Sequence, residues 1–469
     1  MMMTEWQGKR VLIVGLARQG LALARYLAPR GCKLILNDRR PAEEMQKIRK
    51  DLTDLNGVVG SSIEWVFGGH PIGILEEVDI IFPSGGVSLT IPMLVEAQAR
   101  GIMLSNDSQI FLEAAPCPVI GITGSAGKTT TTTLVGRMAK AGHSEGRVWV
   151  GGNIGTPLIS NLDEMRPGDL AVMELSSFQL EIMNLSPDIA AVLNVTPNHL
   201  DRHGTMEAYT AAKARILEYQ APGSIAVLGC DDPGAWSLTQ KATGQMYTFG
   251  LGSPIPGTPG SYFKDDAVYL WDGEAQTRIL SRTSIGLRGE HNLLNVLAAC
   301  AIAAGAGLPV KAMQAGVEGF MGIPHRLEFV RRWKGADWYN DSIATAPERS
   351  MAAIRSFEEP LVLLAGGRDK NLPWDEFAGL VRQQVDHLIL FGEAKGVIRR
   401  SFDSIASPSG GQALTIHECS GLREAVQAAS ETVEAGDVVL LSPGGTSFDE
   451  FNDFEERGEA FKRWVMELQ

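Results

Sequence analysis

The sequence predicts an α/β protein of three consecutive domains: a Rossmann-like fold at each end and a P-loop nucleotide-binding fold between them. Three observations carry this expectation. Apolar strands that run into glycine turns and amphipathic helices recur along the chain, beginning with "KRVLIVGLARQGLALARYLAPRGCKLILNDRR". A lysine-bearing glycine loop, "GITGSAGKTT", opens a second such run. The 469 residues also exceed one ordinary core, since domains hold roughly 100–200 residues each. The boundaries read as 1–113, 114–321 and 322–469.

The first run is a βαβ unit. An apolar strand over Val11 to Val14 meets a glycine turn, an amphipathic helix, Gly31 and a second apolar strand ending at Asp38. The turn keeps Gly15 and Gly20, with Leu16 and Arg18 between them. It has Ala17 where the dinucleotide fingerprint places the glycine that admits a pyrophosphate to the backbone. That speaks against NAD. It leaves a scaffold turn without ligand, or a different nucleotide held less closely. "EVDIIFPSGGV" is a further strand entering a glycine-rich loop, whose Ser84, Gly85 and Gly86 could face the same crevice.

The second run, "CPVIGITGSAGKTTTTTLVGRMAKAG", reads strand, loop, helix. Gly124, Ser125, Ala126 and Gly127 form the loop, and the helix begins near Lys128. Successive N–H groups of such a loop form an anion nest, and the helix N-terminus favours phosphate. Lys128 can reach the β- and γ-phosphates, and the Thr129 hydroxyl, ahead of Thr130, can hold Mg²⁺. The glycine expected six residues before the lysine is Ile122 here, so the loop is shorter than the Walker pattern. Glu174 ends the strand of "DLAVMELSSFQLE", where a carboxylate is a second Mg²⁺ partner or a solvated strand-end acid. "NVTPNHLDRHG" sets His199 just past the next strand, a position suited to a ligand. Lys213, on the following helix, has the position of an ordinary solvated lysine. Asn292 and Asn295 share a helical face and could bond a nucleotide or simply pack the helix. Residues 251–263, rich in Gly, Pro and Ser, read as a surface loop before a hairpin.

The third run holds "PLVLLAGGRDKNLPW", "HLILFG" and "DVVLLSPGGTSFDEF", short apolar strands ending in polar or glycine-rich loops. This is another open α/β sheet, with ligands expected at the strand carboxyl ends.

Composition narrows the function. At 44% hydrophobic and 21% charged residues the chain is of globular type. Its net charge of −13 argues against a general nucleic-acid binder. The five scattered cysteines show no C-x-x-C spacing, so a disulfide framework or zinc site is not expected and a reducing cytoplasm is the simplest setting. "MMMTEWQGKR" has no apolar leader core, and no run of about 18 apolar residues suggests a membrane span.

The motifs together resemble the Mur ligase family. "TGSAGKTT" is similar to that family's shortened phosphate loop, and "GGNIGTP", "ELSSFQLE", "NVTPNHLDRHG", "YTAAKARI", "GEHNLLNVLAA", "GIPHRLE", "NDSIAT", "GGRDKN" and "LLSPGGTSFDEF" follow in the family's order. The match covers essentially the whole chain and is most like the branch that adds glutamate to UDP-N-acetylmuramoyl-L-alanine.

The resemblance implies ATP-dependent ligation of D-glutamate through an acyl phosphate, by a cytoplasmic monomer working in peptidoglycan precursor synthesis. It implies that Gly124 to Thr130 bind ATP phosphates, that Lys128, His199 and Lys213 are catalytic, and that Asn292 and Asn295 face the adenine. Arg326 would reach the phosphates and Asp341 the ribose. Thr129, Glu174, His199 and a carbamylated Lys213 would hold two Mg²⁺ ions. Gly15 to Arg18, Asp38, Arg39 and the Ser84–Gly86 loop would take the uridine diphosphate, with Asn153 near the phosphates and reacting carboxylate. Thr345, Lys370, Ser447 and Phe454 would line the amino-acid pocket.

Three positions depart from the pattern. Ala126 replaces a frequent asparagine, "PSGGV" replaces the commoner S-P-G-V order, and Ile343 stands where D-glutamate-adding members carry lysine. The last leaves Lys370 and Arg368 as the nearby cations and keeps ligation of L-glutamate, or another Mur-type ligation, as the alternative. A diaminopimelate-adding member would show D-N-P-R where this chain has "GGRDKN", and folylpolyglutamate synthase lacks the first domain. Outside the family, an NAD oxidoreductase and a non-catalytic nucleotide switch are the competing classes.

Overall fold

The computed structural model describes residues 6–52, 62–370, 372–403 and 414–469. Three sheets organise the chain. The first is fully parallel, in the order Ser62–Phe67, Lys33–Asp38, Arg10–Val14, Ile80–Pro83, Met103–Leu104. The strand order reverses between Arg10–Val14 and Ile80–Pro83, which opens a crevice at their carboxyl ends. The strands are buried on both faces, as the near-continuous apolar runs require.

The second sheet has nine strands. Val119–Thr123 lies inside it, between Leu170–Glu174 and Ile189–Val192, all parallel. The phosphate loop, Glu174 and the His199 segment therefore all leave one edge of the sheet. Helix Lys128–Gly142 starts directly from the loop, and helix Met206–Glu218 is capped by the Thr205 side chain, which accepts from the Ala208 N–H. The far edge turns antiparallel through Gly260–Lys264, Ala267–Trp271 and Gln276–Ser281. The loop expected over 251–263 is shorter, because Gly260–Lys264 already pairs in parallel with Gln245–Gly250. Gly260 permits this, since a Cβ there would overlap the Thr248 carbonyl.

The third sheet runs Glu328–Trp333, Ala336–Asn340, Val438–Gly444, Leu361–Gly366, His387–Phe391, Thr415–Glu418 and is parallel except for its first pair. Apolar layers cover both its faces.

The first two sheets belong to one compact unit, reaching to Ile285 and including Glu290–Glu318, while Gly286–Gly289 and Gly319–Gln469 form the second. The five cysteines are free thiols. Among the described residues no helix is long and apolar enough to cross a membrane.

Candidate active site

The phosphate loop is built by its neighbours as much as by its own sequence. Gly127 has φ 80°, a left-handed conformation that favours glycine, and a Cβ there would overlap the Asn295 side-chain oxygen. Asn295 is buried and donates to Asn292 Oδ1 at 3.0 Å. The pair thus stands directly behind the loop. Asn194 does more: its carbonyl accepts from the Ser125 N–H at 3.0 Å and its Oδ1 from the Ala126 N–H at 2.8 Å. Two of the N–H groups expected to form the anion nest are therefore directed at Asn194. Ser125 Oγ donates to the Thr196 carbonyl at 2.9 Å and accepts from the Tyr209 hydroxyl at 3.0 Å. Gly127→Ala is expected to destabilise the protein by about 1–3 kcal/mol through backbone strain alone, and to weaken nucleotide binding further. Thermal melting and nucleotide titration of that variant check both effects.

Lys128 Nζ donates to the Gly124 carbonyl at 2.8 Å and the Ser125 carbonyl at 3.3 Å. The Thr129 hydroxyl donates to Glu174 Oε2 at 2.8 Å, and Asn153 Nδ2 to Glu174 Oε1 at 2.9 Å. Glu174 is buried, so one carboxylate ties the loop helix to the "GGNIGTP" segment. A carboxylate and a hydroxyl beside a phosphate loop are hard oxygen donors of the kind Mg²⁺ takes with substrate phosphates and water. Among the described residues no group of three or more His, Cys, Asp or Glu side chains could hold a metal ion. His199 has φ 53°, and its ring lies 5.0 Å from that of Phe178.

Lys213 corrects its reading as a solvated side chain. It is 1% exposed, because its helix packs beneath the loop strand. Its Nζ donates to the Gly124 carbonyl at 2.9 Å and Thr123 Oγ1 at 3.4 Å, and lies 4.8 Å from the centre of the Tyr209 ring. Burial, then the nearby Lys128 charge, drives its pKa down to about 6 against the opposing pull of Glu174.

In the first sheet, Gly15 has φ 89° and its carbonyl accepts from Ser84 Oγ at 2.6 Å, so the two crevice loops are joined. Asp38 accepts from the Leu16 N–H at 2.8 Å and from Arg40 Nε at 2.9 Å and Nη2 at 2.8 Å. Burial works to raise its pKa, but the Arg40 and Leu16 hydrogen bonds outweigh that and leave it at about 2. Arg39 is exposed; Arg40, which the motif reading passed over, is the arginine bound into the crevice. Ala17 caps the helix in extended conformation, and Gly86 has open space around it. Arg18 donates to the Gly155 carbonyl at 3.1 Å, and Arg202 donates to the carbonyls of Gly85 and Val87. The crevice loops are thus bonded to the "GGNIGTP" and "NVTPNHLDRHG" segments of the second sheet.

The second unit gathers its own residues. Asp341 is buried, accepting from Ser442 Oγ at 2.8 Å and the Leu327 N–H at 3.2 Å, and burial raises its pKa to about 7. Arg326 and Lys370 are exposed, Ser447 is buried, and Thr345 and Phe454 are half-buried. Arg368 is bound by Glu393 at 2.8 and 3.0 Å, which takes up one of the two cations left by Ile343.

Comparison with known proteins agrees with this architecture. Family models match over residues 9–105 (Mur ligase MurD-like, N-terminal domain), 122–303 (Mur ligase middle domain) and 325–445 (Mur ligase, glutamate ligase domain). The chain is 40% identical over 460 residues to the UDP-N-acetylmuramoylalanine–D-glutamate ligase of Symbiobacterium thermophilum, covering 98% of each protein. It is 37% identical to the ligase of the same name from Pelotomaculum thermopropionicum over the full length of both. Among solved structures, UDP-N-acetylmuramate-alanine ligase from Thermotoga maritima shares the fold, with TM-score 0.55 at 18% identity over 98% of this chain and 100% of that one. With relatives this similar from end to end, and the three domain types in order, the chain belongs to the Mur ligase family.

Proposed function

We propose that the chain is an ATP-dependent ligase that adds D-glutamate to UDP-N-acetylmuramoyl-L-alanine. The observation that carries the reading is the buried Lys213 amine, set under the phosphate loop whose Thr129 is bonded to Glu174. A neutral, buried amine is the form that adds CO₂, and with loss of one proton the carbamate there would be an anionic, carboxylate-like ligand. Similarity over the full length to D-glutamate ligases supports the substrate pair.

The γ-phosphoryl group passes from ATP to the L-alanyl carboxylate, and ADP leaves. The glutamate amine then attacks the acyl carbon and loses its proton. The C–O bond to phosphate breaks, leaving the amide and inorganic phosphate. Lys128 and the N–H groups at the start of its helix stabilise charge on the moving phosphoryl oxygens. Asn153, held by Glu174, orients the reacting carboxylate. The crevice of the first sheet, through Asp38, Arg40 and the Ser84–Gly86 loop, binds the uridine diphosphate and fixes the distance over which the carboxylate reaches the loop. Thr129, Glu174, His199 and carbamylated Lys213 would hold two Mg²⁺ ions, which when bound neutralise phosphate charge. Asp341 takes the ribose, and the Thr345, Lys370, Ser447 and Phe454 segments take the amino acid. On this reading the domains divide at 113/114 and 321/322, and the enzyme is a cytoplasmic monomer.

Ile343 favours a second reading, ligation of L-glutamate. ATP-dependent phosphate release with UDP-N-acetylmuramoyl-L-alanine and, in parallel, D-glutamate, L-glutamate or meso-diaminopimelate separates the two. Release with D-glutamate alone is expected. Release with L-glutamate alone would overturn the stereochemistry, and release with none would overturn the ligase.

A further inference from the structure

The segments that carry Thr345, Lys370, Ser447 and Phe454 meet at one side chain outside every motif role assigned above. Arg457, on helix Phe454–Glu467, is 0% exposed. Its Nε donates to Ser342 Oγ at 3.0 Å and its Nη2 to the Ser342 carbonyl at 2.8 Å. Its Nη1 donates to the Gly445 carbonyl at 3.1 Å. Ser342 Oγ in turn donates to the Phe454 carbonyl at 2.8 Å. A Cβ at Gly367 would lie 2.9 Å from Nη1, so the loop that leads to Lys370 rests on the guanidinium. That loop is also paired with the Ser447 loop, through Arg368 N–H to the Thr446 carbonyl at 2.8 Å and the reverse bond at 2.9 Å.

The charge is as informative as the geometry. The hydrogen-bond acceptors of Arg457 are carbonyls and a hydroxyl, with no carboxylate among them. Burial in such surroundings drives its pKa down to about 10, while Asp449 and Glu450 pull the other way, so the group stays charged at neutral pH. A buried ion without a carboxylate in contact is an expensive way to brace loops. Its positive charge also lies among the segments that it bonds, where low dielectric strengthens its pull on an anion.

We propose that Arg457 is a positioning residue for the incoming amino acid. It sets the spacing of the four pocket segments and supplies a buried positive charge that draws in a dicarboxylic substrate. In this chain that charge stands where Ile343 offers none and Arg368 is already paired with Glu393. The inference rests on the glutamate-ligase reading above.

Initial rates of the full-length enzyme, with each substrate varied in turn, test it on wild type, Arg457→Lys and Arg457→Gln. The KM for D-glutamate should rise about tenfold or more in Arg457→Lys and further in Arg457→Gln. The KM values for ATP and the UDP-linked substrate should stay within about twofold. Should Arg457→Gln fail to fold, Arg457→Lys and Ser342→Ala carry the test, the latter with a smaller rise in the same KM. An unchanged KM for D-glutamate in the folded variants, or a fall in kcat alone, would overturn the role of Arg457 while leaving the ligase standing. A wild-type enzyme inactive with every amino acid would instead remove the reading on which the inference rests.

Discussion

Lys128→Ala is expected to lower turnover by about 10³-fold and to leave the fold intact. The lysine sits at the first position of helix Lys128–Gly142, and its Nζ now folds back onto the Gly124 and Ser125 carbonyls. Those two acceptors are neutral carbonyls, and a charged phosphate oxygen is the stronger partner for an ammonium. Charge in phosphoryl transfer spreads over the equatorial oxygens, and the protein contributes by placing fixed positive groups beside them. The remaining loop is held by Asn194, Asn295, Thr196 and Tyr209, none of which needs the lysine. Circular dichroism and thermal melting should therefore match wild type, while single-turnover formation of ADP collapses. A variant within tenfold of wild type would mean that the charge on the transferred group is met elsewhere. Lys128→Arg is expected to fail as well, because a planar fork does not replace a compact ammonium in this loop.

The contrast between Lys128 and its supports shows what a sequence discloses. Lys128, Thr129 and the glycines are contiguous, and strand, loop and helix follow one another with local signals, so the phosphate site was legible at once. Glu174 was legible because a strand end is legible. Asn194, Tyr209 and Arg457 were not, since their partners lie 68, 84 and up to 115 residues away and only the closed sheet brings them together. Lys213 fails for a related reason: a helix shows its periodicity but not which of its faces meets the strand beneath the loop. Family resemblance named it; residue chemistry did not. Arg40 was within reach, because its N–H closes a turn on Asp38 Oδ1 at 3.0 Å, a local pattern of aspartate that singles out the residue two places on. The three sheets follow directly from the apolar runs, whereas the antiparallel edge after Gly260 depends on a close backbone approach that glycine permits but does not announce.

Lys213→Ala is expected to reduce turnover by about 10²-fold or more, since even the partners that merely orient metal ligands are worth 10–100-fold. The expectation follows from the chemistry of the amine. Only an uncharged amine adds CO₂, and burial together with the Lys128 charge brings the Lys213 pKa from 10.5 down to about 6. Above that value the folded protein holds a neutral nucleophile in a pocket bounded by Thr123, Gly124 and Tyr209. The sign of the linkage is definite. Between about pH 6 and 10.5 the unfolded chain binds more protons at this position than the folded one. The site's contribution to stability therefore rises with pH through that window and levels off below it, where both states are protonated. Lys213→Ala should flatten that part of the dependence of melting temperature on pH, a readout independent of catalysis. Depleting CO₂ should lower wild-type activity and leave the alanine variant unaffected. Short carboxylic acids should partly restore the variant, because they return a carboxylate to the space that the side chain vacates. Wild-type turnover in Lys213→Ala would remove the metal-ligand role. Loss of turnover without rescue, together with an unchanged pH slope, would instead reduce the lysine to a packing element beneath the phosphate loop.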